Sequence, residues 1–186
     1  FQKEKIDAIV ATLGKQDATI IDVERKPKKT FSPGLYDLTE LQRDANKIFG
    51  YSAKETLNIM QKLYESHKVL TYPRTDSRFL SSDIVSTIPE RLKACAVGEY
   101  RTLANKVLTK PIKANKSFVD DARVSDHHAI IPTEEYVNFA NFNDKERKIY
   151  DLVVKRFLAV LYPAHEFEQL TVQAKIGNET FIARGK

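Results

Sequence analysis

At 186 residues the chain can bury one sizeable core or two small ones, and an apolar fraction of 42% excludes an intrinsically disordered protein. Charged residues make up 30% and the net charge is +5, a balance that favours a polyanionic partner without requiring one. The single cysteine, Cys95, excludes an intramolecular disulfide and a cysteine metal cluster and fits a reducing compartment; no apolar run approaches membrane-spanning length and no signal peptide opens the chain.

In chain order, Ile6, Ile9, Val10 and Leu13 form one helical stripe over residues 3–14, closed by Gly14. A strand is predicted over 18–24, running into the basic stretch Arg25-Lys26-Pro27-Lys28-Lys29, with a boundary at Pro33-Gly34. Residues 38–49 read as a helix closed by Gly50. Ser52 caps the next helix, with Glu55 placed to complete a capping box, and Leu57, Met60 and Tyr64 share its apolar stripe, with Ile59 and Leu63 beside it. A short strand is predicted over 69–72. Two helices, a tight turn and a strand together suggest a helix-turn-helix with a winged continuation, although an ordinary helical hairpin has the same pattern. Further helices are expected over 82–94, 98–109 and 144–161, with Cys95 packed after the first of them. A hairpin of strands over 170–176 and 180–183 turns at Gly177-Asn178. The fold class is therefore mixed α and β: a helical, winged-helix-like domain over 34–162, flanked by β-rich segments over 1–33 and 163–186. The start at Phe1, the lone internal Met60 and the end after a strand read as a segment of a longer polypeptide.

The densest chemical segment is Thr71-Tyr72-Pro73-Arg74-Thr75-Asp76-Ser77-Arg78. A tyrosine phenol attacks a phosphodiester and leaves again more readily than an alkanol, so a phosphotyrosine link keeps the bond energy and reverses without ATP. Arg74, two residues on, is placed to reach the same phosphate from a shared strand face. For a lone tyrosine, packing in a core is the commoner fate. Asp126-His127-His128-Ala129-Ile130-Ile131-Pro132 is the second constellation. Its paired histidines lack another close ligand, which makes metal binding weak, whereas a histidine near phosphate donates to an oxyanion and, protonated, offsets its charge. Two lysine clusters, Lys26-Lys28-Lys29 and Lys106-Lys110-Lys113-Lys116, could follow a phosphate backbone or simply be solvated.

The Tyr72-Pro73-Arg74-Thr75-Asp76 run resembles the active-site signature of type IA DNA topoisomerases, in the form seen in the bacterial topoisomerase III branch. His127-His128-Ala129-Ile130-Ile131-Pro132 is similar to that family's His-x-Ala-Ile-x-Pro segment, and 32–46 looks like its entry to the helical domain. The resemblance spans nearly the whole chain. It implies an arch-forming β domain around a helical domain that carries the nucleophile. It also implies ATP-independent cleavage and rejoining of single-stranded DNA through a 5′-phosphotyrosine. Tyr72, Arg74 and His127 would be catalytic, with Thr71, Thr75, Arg78 and His128 at the DNA. The family also needs an acidic Toprim domain that holds Mg²⁺ through a Glu and an Asp-x-Asp pair. No Asp-x-Asp occurs here, so Mg²⁺ and catalysis are expected to depend on parts outside this segment. A monomeric, cytoplasmic, nucleoid-associated enzyme would follow. The rivals are a non-catalytic winged-helix DNA-binding module, a tyrosine recombinase and a purely structural helical domain. The first leaves the tyrosine and histidine motifs without a role, and the second needs a His-x-x-Arg that neither His127 nor His128 begins.

Overall fold

The computed structural model describes residues 2–14 and 16–186. The described residues form six α-helices and a three-stranded antiparallel sheet, divided into two units: residues 1–30 with 164–186, and residues 31–163.

In the first unit, α1 (Lys3–Leu13) is followed by β1 (Thr19–Thr30), β2 (His165–Ile176) and β3 (Glu179–Gly185), in sheet order β1-β2-β3. β1 is longer than the predicted 18–24 because the basic stretch continues the strand. Its cations find carboxylates on the neighbouring strand, Arg25 with Glu168 and Lys29 with Glu166. Pro27 is tolerated because β1 lies at a sheet edge, where its missing N–H breaks no second ladder. Gly177, at φ +59°, supplies the positive φ of the tight turn between β2 and β3. The stripe predicted on α1 is present in sequence, yet no α1 residue is buried.

The second unit holds the core. It contains α2 (Leu38–Phe49), α3 (Ala53–Glu65), α4 (Ile88–Cys95), α5 (Tyr100–Leu108) and α6 (Asp144–Leu161). Asp37 caps α2 by accepting from the Glu40 N–H at 2.7 Å, and Gly50 closes it at φ +73°. Ser52 accepts from the Glu55 N–H at 3.1 Å, but the reciprocal half of the expected capping box is missing, because Glu55 pairs with Lys145 instead. The reciprocal box forms on α6, between Asn143 and Glu146. On α3 the buried residues are Thr56, Ile59, Met60 and Leu63, so Met60 and the flanking Ile59 and Leu63 are in the core as expected, whereas Leu57 is half-buried and Tyr64 lies at the exposed margin. Ile149, Tyr150, Val153, Val154, Phe157 and Leu158 of α6 are buried against the same core.

Three expectations need correction. The helix over 82–94 is a 3₁₀ turn at Ser82–Thr87 followed by α4, whose first turn contains Pro89; a proline fits there because that N–H has no intrahelical partner. The helix over 98–109 begins at Tyr100, because Gly98 turns at φ +52°. The strand over 69–72 shrinks to one bridge, Leu70 with Pro132. Pro132 and Pro73 both lack the N–H that a longer ladder would need. Cys95 is the last residue of α4 and fully buried, which pushes its thiol up to about 12 and leaves it inert.

Candidate active site

The chain leaves α3 through Lys68, which turns at φ +57°, and enters the tyrosine segment with Val69 and Leu70 buried. That segment is then sewn to the histidine segment more than fifty residues away. The Thr71 N–H donates to the Ile131 carbonyl at 3.0 Å, and the Thr71 hydroxyl donates to the Ala129 carbonyl at 3.2 Å while accepting from the Ile131 N–H at 3.0 Å. The Thr75 hydroxyl donates to the His127 carbonyl at 2.9 Å, and the Ala129 N–H to the Phe79 carbonyl at 2.9 Å. Five hydrogen bonds thus fix Tyr72 and His127 in one frame.

Their rings meet. The Tyr72 and His127 centroids are 4.2 Å apart with planes at 36°, and Tyr64 packs edge-on against the other flank of Tyr72 at 5.5 Å. Tyr72 is half-buried and His127 exposed. Both line a cleft of about 470 Å³ with Thr71, Ser81, Asp121 and His128. A second depression, of about 650 Å³, reaches Tyr72 from the side of Tyr64, Lys68 and Arg91. Tyr36, Tyr100 and Tyr150 are buried, and burial pushes each phenol above its ordinary value, which disqualifies them as nucleophiles.

The remaining sequence candidates separate. Thr75 is only 6% exposed, and its hydroxyl donates to the His127 carbonyl and accepts from the Ser77 N–H, so within this segment it supports the histidine stretch. Thr71 is similarly engaged. Arg78 is half-buried and its Nε donates to the Leu35 carbonyl at 3.1 Å, which braces the 34–36 stretch. His128 lines the cleft, but burial lowers its pKa while its Nδ1 lies 2.7 Å from the Ala129 carbonyl. A neutral imidazole there cannot offset phosphate charge. Arg74 is exposed and lines neither depression; among the described residues its guanidinium makes no hydrogen bond or ion pair. The shared strand face expected for Arg74 and Tyr72 does not exist, because the strand is a single bridge.

Two residues at the site escape sequence reasoning. The helical spacing of Tyr64 assigns it to the core, not to the site. Arg91 is 7% exposed and donates to the Pro132 carbonyl at 2.9 Å and to Thr87 Oγ1 at 2.8 Å, with an ion pair to Glu134. Its position among Ile88, Leu92 and Cys95 on a short helix is the only sequence signal it gives. The third stretch is held by Arg156, which stacks 4.0 Å from the Tyr36 ring centroid and donates to Asp44 at 2.7 Å and to the Gly34 carbonyl at 3.1 Å. The Tyr36 carbonyl in turn accepts from the Ile130 N–H at 2.8 Å, so all three sequence stretches converge. Among the described residues no three His, Cys, Asp or Glu side chains come together as a metal-ion site.

A profile of the DNA topoisomerase family matches residues 1–186. The chain belongs to the DNA topoisomerase family. It is 80% identical over all 186 residues to DNA topoisomerase 3 of Bacillus anthracis and 54% identical to DNA topoisomerase 3 of Bacillus subtilis (strain 168), covering 26% of each. The type IA, topoisomerase III resemblance read from the three motifs therefore holds. Full-length topoisomerase I of Thermotoga maritima shares the fold at a TM-score of 0.66 and 23% identity, over 100% of this chain and 29% of that one. The chain thus spans about a quarter of the length of the relatives it matches. No helix is long and apolar enough to cross a membrane among the described residues.

Proposed function

We propose that this chain supplies the nucleophile of a type IA DNA topoisomerase that cleaves and rejoins single-stranded DNA. The contact between the Tyr72 and His127 rings at the mouth of a shared cleft carries the reading. Tyr72 Oη attacks a backbone phosphorus, the Oη–P bond forms and the P–O3′ bond breaks. The phenol proton is lost and the departing 3′ oxygen gains one. The product is a 5′-phosphotyrosine, the polarity being that of the family. Reversal restores the DNA with no ATP, because the phosphodiester energy stays in the link. His127, exposed and held by its own backbone carbonyl, donates to the phosphate oxygens as charge builds on them. Tyr64 limits rotation of the Tyr72 ring, so the phenol meets phosphorus from one direction. Arg74 has the freedom to swing onto the same phosphate when DNA is present. The α2–α3 pair, with the bridged segment after it, serves as the winged-helix-like support of the nucleophile. Along the chain it lies between segments of an arch domain formed by 1–33 and 163–186.

Mg²⁺ would be held by an acidic Toprim domain outside this segment. By itself the 186-residue chain should therefore leave supercoiled DNA unrelaxed when Mg²⁺ is supplied; relaxation by the purified chain would refute this division of labour. The enzyme would act as a monomer in the cytoplasm, on the nucleoid.

The deciding test is Tyr72→Phe in the full-length enzyme. It removes one oxygen and keeps the ring that packs on His127 and Tyr64, so single-stranded DNA binding and melting temperature should hardly change. The covalent protein–DNA adduct on a denaturing gel should vanish. A normal adduct yield would refute Tyr72 as nucleophile. Absence of any adduct from the unmodified enzyme would favour a non-catalytic winged-helix module.

A further inference from the structure

The two basic tracts of the sequence meet different fates. In the first, Lys26 pairs with Glu24 and Lys29 with Glu166. The second stays unneutralised. From Tyr100 to Val119 the sequence carries Arg101, Lys106, Lys110, Lys113 and Lys116 and no acidic residue. All five are exposed, and among the described residues none makes an ion pair. Such a run of like charge repels itself and favours a polyanion that relieves it.

These lysines also rim a built groove. Between the end of α5 and the end of α6 lies a depression of about 420 Å³ with Lys106, Lys110 and Lys113 at its edge and no carboxylate in its lining. Its floor is apolar: Val107, Ile112, Val160, Leu161 and Pro163. Tyr162 forms one wall, its hydroxyl donating to the Leu103 carbonyl at 3.0 Å, with the Lys106 ammonium 5.8 Å from its ring centroid. The groove shares no lining residue with the cleft at Tyr72.

We propose that this groove is a second binding surface for single-stranded nucleic acid, distinct from the cleavage cleft. Unpaired nucleotides offer what it lacks: one negative charge per unit beside a flat apolar face, which an aromatic wall and an aliphatic floor cover. A duplex hides those faces in its stack. An acidic peptide satisfies the amines but brings no flat surface for the floor. The identity of the polyanion rests on the DNA-cleaving reading of the Tyr72 site, whereas the groove's chemistry does not.

The test measures binding of a labelled oligo-dT across a salt series, in the full-length enzyme and in two triple variants. These are Lys106→Gln/Lys110→Gln/Lys113→Gln and the corresponding Glu set. Three lost phosphate contacts should lower the slope of log affinity against log salt by about 2 for a single strand. Affinity at low salt should drop roughly tenfold or more. Tyr162→Ala should weaken oligo-dT binding without changing that slope. An unchanged slope in both triple variants overturns the proposal. Equal competition by polyglutamate and unlabelled oligo-dT would replace nucleic acid with an acidic partner and also overturn it. Adduct formation at Tyr72 is followed in parallel on an oligonucleotide too short to reach beyond the cleft. Adducts with an unchanged slope sink the groove alone. A reduced slope with no adduct even from the unmodified enzyme sinks the cleavage reading and keeps the groove.

Discussion

Thr75 lies beneath the histidine segment, and its variants separate support from contact. Thr75→Val keeps the shape but leaves the His127 carbonyl and the Ser77 N–H without their partner. The loss should cost about 1–3 kcal/mol in denaturant unfolding. It should also slow cleavage while leaving single-stranded DNA affinity near normal, because His127 drifts from the Tyr72 ring. Thr75→Ser retains the hydroxyl and should restore the cleavage rate; failure of that rescue would assign the effect to packing. His128 gives a pH signature. Burial holds its pKa below the ordinary 6.5, so the unfolded chain binds the proton more readily than the folded one. Its contribution to stability is complete above pH 6.5 and is lost as pH falls through the lower folded value. His128→Gln should flatten the melting-temperature profile on the acid side of pH 6.5 relative to the unmodified protein. Parallel profiles would mean that other groups set the acid limit.

Helices with a clear apolar stripe and a polar cap are legible from the sequence: α2 and α6 end where Gly50 and Pro163 end them. What periodicity cannot see is competition. Glu55 has the right spacing for a capping box, but its carboxylate goes to Lys145, a residue 90 positions away. Tyr64 has the right spacing for the core of α3, yet the stripe rotates toward Thr56 and Leu63 and leaves Tyr64 for Tyr72. The short strand fails because two prolines remove its donors, a local fact that is present in the sequence and outweighed there by the apolar run. At the site, Tyr72 and His127 are legible through the family motif, whereas Arg91 is not, since its partner is a backbone carbonyl 41 residues on. The reciprocal cap on α6 is where an element-level change should show. Asn143→Ala removes the acceptor for the Glu146 N–H, while the backbone N–H of residue 143 still donates to the Glu146 carboxylate, so only one half of the box is lost. It should cost about 0.5–2 kcal/mol in denaturant unfolding, with no change in cleavage chemistry.

The distribution of burial divides the molecule unequally. Every buried apolar side chain among the described residues lies between Leu35 and Leu158, inside the 31–163 unit. The other unit has hydrogen-bonded strands and cross-strand ion pairs, but β1 is exposed along its whole length and α1 buries nothing. Its large side chains Ile20, Ile21, Val23 and Ile182 face water in this segment. Exposed ion pairs contribute about 0–1 kcal/mol each, which does not offset the conformational entropy of ordering the strands. Folding of the segment should therefore be driven by residues 31–163. Excised at those boundaries, that piece should keep a cooperative thermal transition and the near-ultraviolet signal of Tyr36, Tyr100 and Tyr150 in their packed surroundings. Residues 1–30 joined to 164–186 through a flexible linker should show no cooperative transition. The outcome also bears on the site, since Tyr72, His127 and the five hydrogen bonds that align them all lie within the excised piece. If the 31–163 piece melts without cooperativity, the sheet supplies stability that its burial does not reveal, and the site's frame depends on both units.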